Sequence, residues 1–186
     1  MIKLRIFGID TVFTFGFFLV ISLLSLWRSP SVGVMAVSAC IIHELGHCFM
    51  SVILNVKLVG VKFWAGGVLI KKEKRIIPFP YELSILLCGP VFNLIFSMFY
   101  AVGGRYDAAV LNAAFALFNM LPFRTLDGGS ILALCLERRM RFGGEVQRIV
   151  CTALGIAVIL FMLATGTGSA VTISAIAILT LNEAIG

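Results

Sequence analysis

Long apolar stretches separated by short polar segments dominate this chain. A helix needs a run of about 20 apolar residues to cross the hydrocarbon core of a bilayer. Six stretches meet or approach that requirement, and they are Val12–Trp27, Val32–Leu54, Leu83–Val102, Ala108–Leu121, Ile149–Ala164 and Ala170–Leu181. The pattern therefore predicts an all-α polytopic membrane protein with about six transmembrane helices.

The connection after the second span follows a different pattern. Its sequence, KLVGVKFWAGGVLIKKEKR, runs from Lys57 to Arg75 and carries β-branched and aromatic residues on both sides of an Ala-Gly-Gly triplet. Glycines between two strand-forming runs are typical of a β-hairpin. We expect a small, membrane-associated β-hairpin in addition to the helices.

The distribution of basic residues supports the span count. The net charge is +6 and only 13% of the residues are charged, against about 25% in a soluble domain. With six spans, Arg28 and Arg105 fall on one side of the membrane, and the other thirteen basic residues fall on the opposite side. Because cytoplasmic loops are rich in Lys and Arg, both termini are expected in the cytoplasm, and the charge requires no nucleic-acid partner.

Both histidines of the chain lie in the second span, in the sequence His43-Glu44-Leu45-Gly46-His47. Residues four apart share a helix face, so both imidazoles can reach one zinc ion. Glu44 is then placed to take a proton from a water molecule that the zinc activates. The alternative, two core histidines bonded to backbone or serine, leaves three ionisable groups in a span unexplained, at about 3 kcal/mol each.

A catalytic zinc ion needs a third protein ligand. Cys40 lies three residues before His43, but its short side chain reaches poorly towards an ion held between the two histidines. Asp127 has a better setting, because Pro122 ends the short fourth span and irregular backbone at membrane depth must line protein or a watery cavity. We expect Asp127 to meet the histidines in the cytoplasmic third of the bilayer. The alternative is that Asp127 caps the following helix.

That helix is predicted from the sequence after Asp127. Gly128 and Gly129 would allow a close approach of the backbone. The following residues are apolar and then basic, which is typical of a short helix at the cytoplasmic surface with arginines near the lipid headgroups. Gly143 and Gly144 are expected to end it.

Three motifs resemble those of the site-2 protease family of intramembrane zinc metalloproteases, peptidase family M50. In chain order they are the HELGH sequence, the segment CGPVFNLIFS, which resembles a Gly-Pro-x-x-Asn motif, and Asn119-x-x-Pro122 followed by Asp127-Gly128. The spacing and the small size are most similar to the stage IV sporulation protein FB branch.

The resemblance implies an enzyme, a zinc metalloendopeptidase with one zinc ion. The family's ligand roles carry over to His43, His47 and Asp127, and the role of catalytic base carries over to Glu44.

The resemblance also implies how substrate is held. The family's β segment binds substrate in extended form, and its counterpart here is the hairpin, with Phe63, Gly66, Gly67 and Val68 as candidate contacts. An edge strand can bind an unwound substrate by strand addition. Asn119 is a candidate donor to the substrate backbone or to an oxyanion, and Asn93 is a weaker one. Interhelical hydrogen bonding is the alternative for both.

The implied context is regulated intramembrane proteolysis in the bacterial cytoplasmic membrane. Residues 1–186 are expected to form a single metalloprotease domain with its core at 32–142. Its substrate would be membrane-tethered, such as a pro-sigma factor or a similar regulatory precursor, and sporulation would be the setting. Regulatory membrane proteins or a homo-oligomer are further candidate partners besides the lipid bilayer. We expect no PDZ domain and no nucleotide-sensing domain, unlike the sporulation branch.

Two rival functions are a metal transporter and an inactive homologue that acts as a binding module. Glu44 argues against both, since metal transport gives the neighbour of the first histidine no obvious task.

Overall fold

The computed structural model describes residues 2–6, 9–13, 30–64, 67–72, 77–166 and 169–185. The strands are β1 (Ile2–Ile6), β2 (Ile9–Phe13), β3 (Leu58–Trp64) and β4 (Gly67–Lys72). The helices are α1 (Pro30–Ile53), α2 (Phe79–Val102), α3 (Tyr106–Asn119), α4 (Asp127–Arg139), α5 (Gly143–Thr165) and α6 (Ala170–Ile185). The chain divides into two compact units, Met1–Phe118 and Asn119–Gly186.

Three helices in the described part of the chain are long and apolar enough to cross a membrane. They cover Ser31–Ile53, Phe79–Val102 and Gly143–Thr165, and α6 adds a shorter apolar segment at Ile176–Ile185. The mostly helical, membrane-type architecture is therefore confirmed. The total of six spans stays a prediction, because residues 14–27 of the first predicted span lie outside the described residues.

Burial of side chains is inverted relative to a soluble protein. On α2, Met98, Phe99 and Val102 are 72%, 71% and 91% exposed. Polar side chains are buried instead, and they include His43, His47, Ser51, Asn93, Asn112, Gln147, Thr180 and Glu183. This distribution suits a chain surrounded by lipid, where polar groups must find their partners inside the protein.

The four strands form one sheet in the order β1-β2-β3-β4. β1 pairs antiparallel with β2, β2 pairs parallel with β3, and β3 pairs antiparallel with β4. The parallel pair needs a crossover connection, and that connection includes α1. Trp64 pairs with Gly67, within the segment where the sequence predicts a hairpin. Association of this sheet with a membrane surface stays a prediction.

The predicted start of the first span is wrong at Val12 and Phe13. Both residues belong to β2, where they pair with Lys62 and Phe63 of β3. Valine, threonine and phenylalanine are strand formers as well as apolar residues, so hydrophobicity alone does not distinguish a strand from the beginning of a span.

Helices α1 and α2 are in direct backbone contact. A Cβ atom at Gly46 would lie 2.5 Å from the carbonyl oxygen of Cys88. Only glycine leaves room for this approach. The contact sets the histidine-bearing part of α1 against the middle of α2.

Helix α3 is only 14 residues long, which corresponds to about 21 Å. It ends at Asn119, and a turn region that contains Pro122 leads to α4, in agreement with the predicted break. Asp127 is the first residue of α4, while Leu126 takes the cap position and makes no side-chain cap hydrogen bond. The alternative role of Asp127 as the helix cap is therefore not the one observed.

The predicted role of Gly143 and Gly144 as the end of the surface helix is wrong. Helix α4 ends at Arg139, and the two glycines are the first residues of α5. A Cβ atom at Gly143 would lie 2.6 Å from the backbone of Leu136, so glycine is needed there for close packing of consecutive helices.

Candidate metal centre

The ring orientation of His43 is set by two asparagine side chains. Asn93 Nδ2 donates to Ala39 O at 2.9 Å and to Asn112 Oδ1 at 3.0 Å, and Asn112 Nδ2 donates to Ala108 O at 2.8 Å. Asn93 Oδ1 therefore remains to face His43 Nδ1 at 2.8 Å. Because an amide oxygen only accepts, His43 must carry its proton on Nδ1.

The backbone of α2 fixes His47 in the same way. His47 Nδ1 lies 2.7 Å from the carbonyl oxygen of Ile85, which can only accept a hydrogen bond. His47 therefore also carries its proton on Nδ1. Both imidazoles are buried, with 4% of His43 and 8% of His47 exposed.

These tautomers direct the two Nε2 lone pairs towards each other. The two Nε2 atoms are 3.1 Å apart, and neither carries a hydrogen when Nδ1 is the donor. Such a pair needs a cation or an additional proton between the nitrogens. Two histidine nitrogens on a tetrahedral zinc ion, with bonds of about 2.0–2.1 Å, would be roughly 3.3 Å apart. The observed geometry therefore fits zinc.

Gly89 of α2 lies beside the two nitrogens. A Cβ atom at this position would be 2.5 Å from His47 Nε2 and 2.9 Å from His43 Nε2. Any larger residue would fill the space beside the two Nε2 atoms. The backbone of α2 is thus shaped to leave room at the point where the histidines converge.

Glu44 lies on α1 directly after His43 and is half-buried. Ser51 donates to the carbonyl oxygen of His47 at 2.8 Å, so this serine bonds the helix backbone and not the imidazole ring. The alternative of two histidines satisfied by backbone or serine therefore accounts for His47 Nδ1 but not for the convergent Nε2 atoms.

Asp127 belongs to the second compact unit, where it begins α4 with a partly buried side chain. Its role as the third metal ligand, beside His43 and His47, stays a prediction. One carboxylate oxygen with two imidazole nitrogens is a donor set that zinc accepts. Among the described residues, Cys40 belongs to no group of His, Cys, Asp and Glu side chains that could hold a metal ion.

The candidate substrate-binding residues are distributed over the two units. Phe63 lies in β3 and pairs with Val68 of β4, and Gly67 begins β4. Gly66 lies outside the described residues. Asn119 is the last residue of α3. The role of these residues in binding substrate stays a prediction.

The structure changes the interpretation of Asn93. Both hydrogens of its amide are donated within the helix bundle, so neither is available to a substrate or an oxyanion. The interhelical alternative is therefore correct for this residue. Sequence reasoning missed Asn112, although a polar residue in an apolar stretch could have indicated a buried hydrogen-bond network. It included Gly89 in the Gly-Pro-x-x-Asn motif but gave it no role beside the histidines.

Comparisons with known proteins found similarity to peptidases in part of the chain. The model of peptidase family M50 matches residues 105–162, which include Asn119, Pro122 and Asp127 but not the two histidines. A zinc metalloprotease of Methanocaldococcus jannaschii is 28% identical over 138 residues, which cover 68% of this chain. Both findings are similarities, one to peptidase family M50 and one to a zinc metalloprotease. Membership of the sporulation branch stays a prediction.

A solved structure shares the fold. The site-2 protease from Methanocaldococcus jannaschii matches with a TM-score of 0.74 at 22% identity, over 98% of this chain and 94% of that chain. The curated relative is longer, and this chain spans 40% of its length. The likeness to the solved structure shows the fold alone.

Proposed function

We propose that this chain is an intramembrane zinc metalloprotease that cleaves a membrane-tethered protein near the cytoplasmic face. The observation that carries the proposal is the convergence of His43 Nε2 and His47 Nε2 at 3.1 Å, with each Nδ1 facing an acceptor oxygen. We further propose that Asp127 supplies the third ligand. Two histidines, one carboxylate and an open position are typical of catalytic zinc sites.

A zinc ion bound there would polarise the scissile carbonyl group and lower the pKa of a water molecule towards 7. His43 and His47 would hold the ion through Nε2. The hydrogen bonds of their Nδ1 atoms keep the two rings in place. Glu44 takes a proton from the attacking water and delivers it to the leaving amine. The apolar helices exclude bulk water from the rest of the site.

The substrate would bind in extended form. A helical substrate keeps its peptide bonds inside the helix, whereas β4 lies at the end of the described strand order and can accept an added strand. Phe63, Gly66, Gly67 and Val68 would line this position. Asn119 would donate to the substrate backbone or to the oxyanion.

A regulatory precursor such as a pro-sigma factor is the proposed substrate class. This choice comes from the resemblance to the sporulation branch, and the cytoplasmic placement comes from the thirteen basic residues on one side of the predicted spans. The same arguments favour the bacterial cytoplasmic membrane as the location and residues 1–186 as one functional domain.

Replacing Glu44 with Gln tests the proposal. The change removes the proton acceptor and leaves His43 and His47 untouched, so zinc content should stay at one ion per chain. The rate of cleavage should fall by at least about 100-fold, since general acid–base catalysis contributes roughly 10²–10⁴. Zinc content is measured by mass spectrometry on purified protein. Loss of cleavage is measured as the amount of uncut membrane proteins that accumulate in cells that express the variant.

Glu145→Gln is the matched control, because Glu145 is an exposed acid at the start of α5. It should leave both zinc content and cleavage at the wild-type level. Unchanged cleavage in the Glu44→Gln variant would remove the hydrolytic mechanism. A metal transporter would show altered metal flux and no accumulated precursor.

A further inference from the structure

The turn that leads to Asp127 is held by side chains of the last two helices. Gln147 of α5 donates through Nε2 to Gly129 O at 2.8 Å and to Pro122 O at 3.3 Å. Cys151, one turn further along α5, also donates to Pro122 O, at 3.1 Å. Gln147 therefore connects the backbone before Asp127 to the backbone after it.

Helix α6 adds a carboxylate to the same turn. The backbone N–H of Arg124 donates to Glu183 Oε2 at 2.9 Å, and Arg124 Nε lies 3.8 Å from Glu183 Oε1. The side chain of Glu183 is only 1% exposed, while that of Arg124 is 36% exposed. Glu183 Oε1 has no hydrogen-bond partner among the described residues.

A buried carboxylate with the contacts of Glu183 is not expected to stabilise the fold. Removing a charge from water is costly, and apolar replacements of buried ion pairs are often neutral or stabilising. The long Arg124–Glu183 separation and the unmatched Oε1 atom make the cost harder to offset. A role in positioning the backbone would account for an acid at this site.

The backbone that Glu183 contacts is compact. Leu126 N donates to Phe123 O at 2.8 Å, which closes the turn immediately before Asp127. A Cβ atom at Gly128 or Gly129 would collide with the carbonyl groups of Met120 and Phe123, respectively. The first turn of α4 thus rests directly on the preceding backbone, so a shift at Arg124 would be transmitted to Asp127.

We propose that Glu183 and Gln147 are positioning residues that fix the Phe123–Leu126 turn and thereby aim the Asp127 carboxylate. The inference rests on the proposed role of Asp127 as a zinc ligand. Glu183 holds the turn at Arg124 N, and Gln147 holds the backbone on either side of it, at Pro122 O and Gly129 O. The last helix, which carries none of the proposed ligands, would then contribute to metal binding.

The test compares three variants of the full chain in detergent. Glu183→Leu removes the acceptor and keeps a similar volume, Glu183→Gln keeps an acceptor oxygen, and Glu145→Gln is an exposed control. Zinc affinity is measured by competition with a chromophoric chelator, and coordination geometry by the visible spectrum of the cobalt-substituted protein. Asp127→Ala supplies the reference for complete loss of the third ligand.

We expect Glu183→Leu to bind zinc about tenfold more weakly. A loss of this size is typical when a contact that supports a metal ligand is removed. Its cobalt spectrum should shift towards that of Asp127→Ala, with unchanged helicity and thermal midpoint. Glu183→Gln should restore most of the affinity, and the control should match the wild type. Gln147→Met removes the hydrogen bonds to Pro122 O and Gly129 O and should also weaken zinc binding, which keeps the test decisive if Glu183→Leu misfolds.

Wild-type affinity and an unchanged cobalt spectrum in a folded Glu183→Leu or Gln147→Met variant would overturn the positioning role. A wild-type protein that binds no zinc, or an Asp127→Ala variant that binds it normally, would instead remove the proposed ligand set. The two failures are therefore distinguishable.

Discussion

At the scale of single residues, an amide side chain decides the chemistry of the first histidine. Asn93 is fully buried and uses both amide hydrogens on other acceptors, so its oxygen must face His43. A histidine that ligates metal commonly donates its other N–H to such a partner, which fixes the tautomer and the ring plane. We therefore expect Asn93 to act through His43, since neither amide hydrogen is left to donate to a substrate.

Replacing Asn93 with Leu should weaken zinc binding about 10–100-fold, because the acceptor that orients His43 is lost. Zinc affinity measured by chelator competition would show the change. Ser97→Ala is the control, since Ser97 lies one turn after Asn93 on α2 and its Oγ donates to Ala109 O of α3 at 2.7 Å without touching a histidine. An equal loss of affinity in both variants would mean that general helix packing, and not the His43 contact, is responsible.

The sequence was sufficient to pair the histidines but not to find what orients them. A spacing of four residues places His43 and His47 on one face of any helix. The acceptor for His47 is the backbone carbonyl of Ile85, and every residue has such a carbonyl. Its position depends on the alignment of α1 against α2, which Gly46 permits and no local pattern encodes.

At the scale of elements, the predicted boundaries of helices were wrong where glycines or strand-forming residues occur. Val12 and Phe13 are apolar enough for a span, yet β3 offers them a hydrogen-bonding partner about 50 residues away. Gly143 was expected to end one helix and instead begins the next, because its neighbour across the turn is the backbone of Leu136. Both errors come from contacts between distant or successive elements.

Deleting Phe63–Ile70 should impair cleavage far more than zinc binding, because this segment carries the proposed substrate-binding strands but none of the proposed ligands. We expect at least about a tenfold loss of cleavage, as expected when oriented substrate binding is lost. Zinc content should remain near one ion per chain. Cleavage at the wild-type rate would show that the sheet does not hold substrate. Loss of both properties would assign the segment a structural role.

At the scale of the whole molecule, the outward apolar surface and the inward polar residues agree with a lipid environment. Hydrophobicity was enough to predict this class, since it can be read along the chain. The buried network of Asn93, Asn112 and the histidines was not accessible in the same way. It depends on which helices are neighbours, and the polar residues indicate only that partners must exist.

Removal of metal should abolish cleavage without unfolding the helices. Treatment of the purified protein with 1,10-phenanthroline should reduce activity to background, and added zinc should restore it, because the proposed ion would supply the reactive water. The isomer 1,7-phenanthroline, which cannot chelate, is the control. Circular dichroism follows helicity in parallel. Full activity after exhaustive chelation would contradict the proposed chemistry.

The contact between Gly46 and Cys88 affects how the helices can adapt to bilayers of different thickness. Long helices adapt to a thin bilayer by tilting. Since α1 and α2 touch through their backbones beside the histidines, they would have to tilt together, and the acceptor at Ile85 would move with His47. The spacing of the two imidazoles should therefore be insensitive to acyl-chain length.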